Sequence, residues 1–283
     1  MILVTGANGM VGSYVKQIFD LDNTYLTDIP EMDVTDPAKV QKIFDQIKPR
    51  TVVHLAAKTD VDKCETEIDD AYKTNALGTL HVVLACKKIG ATLVYISTGG
   101  VFGGNQADPY TEFDEPNPPT VYSRSKYEGE KFVRANLHNH YILRAGWMIG
   151  GGEKDKKFVG KMVSLFSERD EILAVNDKIG TITYALHLVK MIKQLINTGL
   201  YGTYHVVSEG ACSRFDIAQE IAKIIGSKAK IVPVGSDRFP LPAPRGISEA
   251  MRNYKLDLLE LNTMPKWQEA LREYLASWDY KRV

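Results

Sequence analysis

Tyr122 and Lys126 stand four residues apart in the stretch TVYSRSKYEGEKF. On a helix that spacing brings a phenol and an ammonium onto one face. A free phenol titrates near 10 and is a poor base at neutral pH. A neighbouring ammonium favours its phenolate. Such a pair can pass a proton to or from a sugar or alcohol oxygen while a hydride moves at the adjacent carbon. Taken alone, the same spacing describes an ordinary pair of surface side chains. Thr98 tips the balance: with Ser97 it closes the apolar run TLVYIST, at the carboxyl end of a strand, where open sheets bind ligands. Asn75 shares a helical stripe with Ala71, Tyr72, Thr79 and Val82. It therefore points into the sheet, and a buried amide there needs partners.

A second constellation lies at the start of the chain. TGANGMVG supplies Gly6, Gly9 and Gly12 between a predicted strand and a predicted helix. Gly6 allows a tight turn, Gly9 lets backbone approach a pyrophosphate at the positive helix end, and Gly12 lets helix and strand pack closely. The alternative is a glycine-rich turn with no ligand. Asp28 ends the second predicted strand, where a carboxylate can accept hydrogen bonds from an adenosine ribose or simply be a solvated loop acid. Ile29 follows it, and no Arg or Lys occurs until Lys39. A 2′-phosphate would meet a carboxylate there, so NAD(H) is the preferred cofactor, with NADP(H) possible.

These residues need a frame. MILVT, TYLTD, TVVHLAA, TLVYIST and YILRA read as strands, the third a continuous apolar run suited to burial on both faces. Between them DPAKVQKIFDQI, EIDDAYKTNALGTLHVVLACKKIG and YSRSKYEGEKFVRAN read as helices, the second stopped by Gly90. Strands alternating with helices predict an α/β fold with a Rossmann-like doubly wound parallel sheet. This dinucleotide-binding domain is expected over 1–146, rejoined by a segment near 178–206. A smaller mixed α/β substrate-binding domain is expected over 147–283. There WMIGGGEKDKKF reads as a loop, SRFDIAQEIAKIIG as a helix capped by Ser213 and ended by Gly226, and WQEALREYLASW as an amphipathic helix. The 283 residues include 35 basic and 35 acidic side chains, so no charge field points to nucleic acid or an anionic membrane. Three cysteines without close pairing argue against a disulfide framework or a zinc site and fit a reducing compartment. A first strand starting at Met1 leaves no room for a signal peptide, and no apolar run reaches membrane-span length. A cytoplasmic protein is expected.

The first glycine gap is one residue longer than in GxGxxG. This variant resembles the extended branch of the short-chain dehydrogenase/reductase superfamily, which implies a place for Asn75 in the active-site hydrogen-bond network; a core amide satisfied by strand backbone is the other reading. A closer resemblance spans almost the whole chain. AAKTDVDKCETE (56–67), ISTGGVFGG (96–104), PYTEFDEPNPPTVYSRSKYEGEK (109–131), LRAGWMIG (143–150), DKIGTITYA (177–185) and GTYHVVSEG (202–210) resemble dTDP-4-dehydrorhamnose reductases. Those enzymes reduce the 4-keto group of a dTDP-6-deoxy-hexulose in L-rhamnose synthesis. The resemblance implies Tyr122 as proton donor, Lys126 as its electrostatic partner and Thr98 as the group that tunes the tyrosine. It implies a cofactor site lined by Gly6, Asn8, Gly9, Met10 and Val11, by Asp28, Asp33 and Val34, by Ala56, Ala57, Lys58 and Thr59, and by Asn75, Tyr122 and Lys126. It also implies that Trp147 closes over the sugar, that Val61 contacts the nucleotide, and that Thr98 and Gly99 face the substrate.

Three departures stand out. The family's Asp-Tyr after the threonine is Gly99-Gly100 here, which leaves room or changes polarity near the sugar and puts the preferred sugar in question. The family's TSW is AGW, Ala145–Trp147. A subgroup's magnesium-linked dimer uses a glutamate where Tyr14 stands, so a monomer or homodimer without a metal site is expected. A nucleotide-sugar epimerase of the same superfamily and a non-catalytic dinucleotide-binding regulatory subunit are the competing readings. A nucleoside diphosphate substrate needs a cation, and the glycine turn is committed to the cofactor's pyrophosphate. Arg245, on the stiff loop RFPLPAPRG, is the candidate. Its alternative is an ion pair with an acid such as Glu249, and Arg238 is the rival on the same loop.

Overall fold

The computed structural model describes residues 1–152 and 155–278. In chain order the elements are β1 (Ile2–Thr5), α1 (Met10–Ile18), β2 (Thr24–Leu26), α2 (Pro37–Ile47), β3 (Thr51–His54), α3 (Val61–Thr66), α4 (Ile68–Tyr72), α5 (Gly78–Ile89), β4 (Thr92–Thr98), α6 (Val121–Asn136), β5 (His140–Ala145) and β6 (Trp147–Ile149). They continue with α7 (Phe158–Glu168), β7 (Glu171–Val175), β8 (Ile179–Gly180), β9 (Ile182–Tyr184), α8 (Ala185–Leu195), β10 (Gly202–Val206), β11 (Cys212–Ser213), α9 (Arg214–Ile225), β12 (Lys230–Val234), α10 (Tyr254–Leu258) and α11 (Trp267–Ala276).

Six strands form one parallel sheet in the order β10-β5-β4-β3-β1-β2. The chain runs from β1 out to β2, then crosses back to β3 on the other side of β1. Strand order reverses there, and the crevice beyond the carboxyl ends of β1 and β3 is the natural ligand site of such a sheet. Side chains alternate between the faces: Val94 joins a core with α1, α8 and the second half of the chain, while Leu93 and Tyr95 join a core under α2, α5 and α6. Local chemistry sets the helix ends. Asp36 caps α2 ahead of Pro37, and Thr120 and Ser123 form a reciprocal capping box on α6. Gly90 and Gly226 take left-handed conformations after α5 and α9.

Two readings change in detail. The long helix expected over 67–90 is helical, but Lys73–Leu77 form an i→i+5 stretch between α4 and α5, a local widening often found at functional sites. WMIGGGEKDKKF is not wholly a loop, because Trp147–Ile149 pair in parallel with β9; its residues 153 and 154 lie outside the described residues. The segment near 178–206 supplies β10, which pairs with β5 at the edge of the main sheet. The remaining strands make two-stranded pairs, β7 with β12 and β8 with β11. Among the described residues no helix is long and apolar enough to cross a membrane.

A buried charge fixes α6 to the sheet. The Glu130 carboxylate, fully buried, accepts Arg144 Nε at 3.0 Å and Nη2 at 2.8 Å, Arg134 Nη1 at 2.9 Å and the Ser97 hydroxyl at 2.6 Å. Ser97 and Arg144 are register partners on β4 and β5. Burial would push Glu130 upward, but the arginines hold its carboxyl below the usual range. Removing one member of such a group leaves an uncompensated buried charge, which costs about 3–5 kcal/mol. Glu130→Gln is therefore expected to lower unfolding free energy by about that amount in denaturant titration; a loss comparable to a surface substitution would show that the network does not carry this weight.

Candidate active site

The sheet's carboxyl edge and the second half of the chain enclose a cleft of about 1400 Å³. The glycine turn forms one end. Gly6 has φ +65°, and a Cβ there would lie 2.6 Å from the Ala56 nitrogen; at Gly12 it would lie 2.3 Å from the Ala7 carbonyl oxygen. Both are packing constraints. At Gly9 a Cβ would meet only the Gly6 carbonyl oxygen, at 3.3 Å, and Gly9 precedes α1 without a side-chain cap. Free amides and an open approach fit the pyrophosphate of a dinucleotide. Thr5 Oγ1, paired with the buried His54 at 2.8 Å, accepts the Leu55 and Ala56 N–H groups and so holds the segment after β3 against the turn. Burial keeps His54 neutral, with its titration lowered to about 3.

The residues expected to line the cofactor sort into two groups. Gly6, Gly9, Met10, Val11, Asp28, Asp33, Val34, Ala56, Ala57 and Thr59 all border the cleft. Asp28 accepts the N–H groups of Asn8 and Ile29, each at 2.8 Å, leaving lone pairs for a ribose. Asp33 is held below its ordinary range by the Thr35 N–H and hydroxyl. Asn8, Lys58 and Asn75 do not border it. Asn8 opens on a smaller hollow behind Asp28. Lys58 turns its ammonium to Glu67 and Asp70. Asn75 is fully buried: Oδ1 accepts the Lys58 N–H at 2.8 Å, and Nδ2 donates to the Lys58 carbonyl and the Ser125 hydroxyl, each at 3.0 Å. Its amide joins the post-β3 loop to the helix that carries Tyr122 and Lys126, rather than being satisfied by strand backbone.

Tyr122, Lys126 and Thr98 meet on the floor of the same cleft. Glu65 accepts the Val121 N–H at 2.8 Å and helps seat the start of α6. Burial works against the phenolate that Lys126 would favour. Burial pushes the Tyr122 phenol up to about 12, while the Thr98 hydroxyl pulls the other way. Lys126, nearly buried with Nζ 4.2 Å over the Tyr95 ring, is drawn down to about 7 by burial. Its neighbour Glu130 is already committed to Arg144 and Arg134.

The substrate end departs further from expectation. Gly100 borders the cleft, but Gly99 does not; a Cβ on Gly99 would strike the Met251 methyl at 2.6 Å, so the room left by that glycine is filled by Met251. Gly146 has a local reason: a Cβ there would lie 2.2 Å from the Thr181 carbonyl oxygen, because β6 and β9 approach closely. Trp147 and Val61 border the cleft. Tyr14 points into the core, where its hydroxyl accepts the Gly151 N–H at 3.0 Å. Arg245 borders the cleft with its guanidinium engaged, though not by Glu249: Nη2 bonds both Asp62 oxygens at 3.2 and 3.3 Å, and Nη1 donates to the Ala243 carbonyl at 3.0 Å. It latches the proline-rich loop to α3. The guanidinium that sequence reasoning missed is Arg214, which stacks on Trp147. Its one sequence signal was its position beside the cap residue Ser213. Among the described residues no group of three or more His, Cys, Asp or Glu is arranged to hold a metal ion.

Comparison with known proteins finds relatives over almost the whole chain. The family described as the RmlD substrate binding domain matches residues 1–280. A dTDP-4-dehydrorhamnose reductase from Mycobacterium tuberculosis is 34% identical, covering 98% of this chain and 92% of that one. The crystal structure of a dTDP-4-dehydrorhamnose reductase from Clostridium acetobutylicum superposes with a TM-score of 0.94 at 38% identity, covering 98% of both chains. One from Bacillus anthracis, in complex with NADP, gives a TM-score of 0.93 at 37% identity and the same coverage.

The buried lysine makes a pH signature. Lys126 is lowered from 10.5 in the unfolded chain to about 7 when folded, so its burial costs most below pH 7 and nothing above the unfolded value. Lys126→Met is expected to raise the melting temperature of the ligand-free protein by on the order of a few degrees at pH 6–7, with the gain shrinking as pH climbs toward 10. A gain independent of pH would rule out a desolvated ammonium.

Proposed function

The chain belongs to the dTDP-4-dehydrorhamnose reductase family, and from that membership we propose that it reduces the 4-keto group of a nucleotide-activated 6-deoxyhexose, in the synthesis of deoxysugar precursors of polysaccharide. The observation that carries the reading is that Tyr122, Lys126 and Thr98 border the same cleft as the glycine turn. A bound NADH or NADPH would supply the hydride. Tyr122 gives its proton to the 4-oxygen as negative charge develops there. The Thr98 hydroxyl donates to the same oxygen and orients it. Lys126, once charged, stabilises the phenolate left behind, and Trp147 covers the sugar and excludes water. Residues 1–146 with β10 serve mainly the dinucleotide, and 147–283 mainly the substrate. Three buried free cysteines support a cytoplasmic location.

Tyr122→Phe removes the proton and keeps the ring. A positioned acid contributes roughly 10²–10⁴-fold, and turnover of NADH with a dTDP-4-keto-6-deoxyhexose is expected to fall by that order while NADH affinity holds. Near-normal turnover in this variant would end the assignment, and NAD-dependent interconversion without net NADH oxidation would favour an epimerase.

Asp28 supports NAD(H) as the preferred cofactor. A 2′-phosphate beside its carboxylate meets a like charge worth about 4 kcal/mol at 4 Å and an effective dielectric of 20. Screening and rearrangement reduce this, so catalytic efficiency with NADH is expected to exceed that with NADPH by about tenfold or more. Equal efficiencies would mean that a cation from elsewhere in the fold neutralises the phosphate.

A further inference from the structure

We infer that Arg214 is the residue that seats the diphosphate of the nucleotide-sugar substrate, an assignment that rests on the reductase reading. Arg214 is the first residue of α9. Its guanidinium lies 3.8 Å from the Trp147 ring centroid and 4.9 Å from that of Phe158, and it borders the cleft. Two rings fix the plane of the group and leave its N–H edge to bond whatever enters, the geometry suited to bidentate contact with an oxyanion. Among the described residues that edge takes no hydrogen bond and has no carboxylate at ion-pair distance. The nearest acid in sequence, Asp216, is spent on the cap: it accepts the Ser213 N–H at 2.8 Å and the Ser213 hydroxyl at 2.7 Å.

Two other cations that border the cleft are engaged or turned aside, while Lys156, Lys157 and Lys161 offer only single ammonium groups without the planar fork. Arg245 is paired with Asp62, and Lys178 donates to the Arg245 carbonyl at 3.0 Å. Burial draws the Arg214 guanidinium down to about 10; Arg245 and Lys157 add repulsion, which Cys212 and the more distant Glu249 offset in part. A desolvated cation with like charges beside it and, among the described residues, no carboxylate at ion-pair distance is costly. An entering anion relieves that cost.

That anion is not the cofactor's pyrophosphate. The glycine turn follows β1, whereas Trp147, on which Arg214 stacks, follows β5. These strands are three positions apart in the sheet, about 14 Å at the usual interstrand spacing. One diphosphate cannot reach both ends. Trp147 also lies two residues beyond Ala145, the register partner of Thr98, so a diphosphate on Arg214 is within a sugar's reach of the proton donor.

The test is calorimetric titration of TDP, TMP, thymidine and NADH into the wild type, Arg214→Met and Arg214→Lys. Methionine keeps the length and the ring contacts and removes the charge. It is expected to weaken TDP roughly 10- to 100-fold, the range of hydrogen bonds to charged groups, while thymidine and NADH bind as before. Lysine should recover part of the loss, since it restores the charge without the fork. Unchanged TDP affinity in Arg214→Met overturns the assignment, as does an equal loss for thymidine. Parallel loss of NADH binding would mean that the substitution disturbs the fold, and the assignment would again fall. A wild type that binds UDP or GDP but not TDP, with the same loss on Arg214→Met, overturns the thymidine part of the reductase reading and leaves Arg214 in its role.

Discussion

Glu130 is ionised where no water reaches it, and it stays so because two guanidiniums and a hydroxyl surround it. Its partners come from α6 itself, from β4 and from β5, so a single carboxylate sets the height and rotation of α6 above the sheet. Tyr122, Lys126 and Glu130 follow one another at intervals of four on that helix, on one stripe. The anchor lies at the inner end of the stripe and the phenol at the cleft. Asn75 and Tyr95 fix the same helix from the side: Asn75 bonds Ser125, and the Tyr95 hydroxyl donates to the Lys126 carbonyl at 3.0 Å. The i→i+5 stretch at Lys73–Leu77 contains Asn75.

Desolvation sets the electrostatics of the floor. It holds the Tyr122 proton in place and makes the Lys126 ammonium scarcely favourable at neutral pH. The usual expectation, that a lysine one turn away turns tyrosine into a phenolate, assumes a solvated pair. Here the ammonium lies over an aromatic ring, and the nearest carboxylate belongs to two arginines. The resulting state, a loaded acid beside a weakly charged lysine, suits reduction of a ketone, where the enzyme delivers a proton.

The second half closes the cleft with contacts that reach back across the chain. Asp62 and Arg245 are 183 residues apart and still pair. Asp62 also accepts the Ala243 N–H at 3.2 Å, so the proline-rich loop is pinned at two points. The β8–β11 pairing sets Cys212 opposite Gly180, and the Trp147 ring lies so close on Gly180 that a Cβ there would overlap it. Arg214 covers the same ring. Gly180 and Trp147 therefore decide where the Arg214 guanidinium lies on the cleft wall.

The sequence by itself determined the repeating strand–helix order, the helix cap at Ser213, the glycine turn with Asp28, and the shared face of Tyr122 and Lys126. Each depends on residues a few positions apart, where backbone geometry and hydrogen-bonding capacity act without knowledge of the rest of the fold. The tertiary structure decided which charges are spent. Arg245 was legible as a cation on a stiff loop, but its partner came from α3. Arg214 looked like any residue after a cap until two strand pairings carried it onto Trp147. Gly99 read as an opening toward the sugar, and Met251, far along the chain, fills it. Asn75 was legible as buried, yet its partners turned out to be a loop and a helix. A side chain's type fixes what it can bond; only the packing of distant segments fixes what stands within its reach and how much water remains there, and those two quantities set its charge and its role.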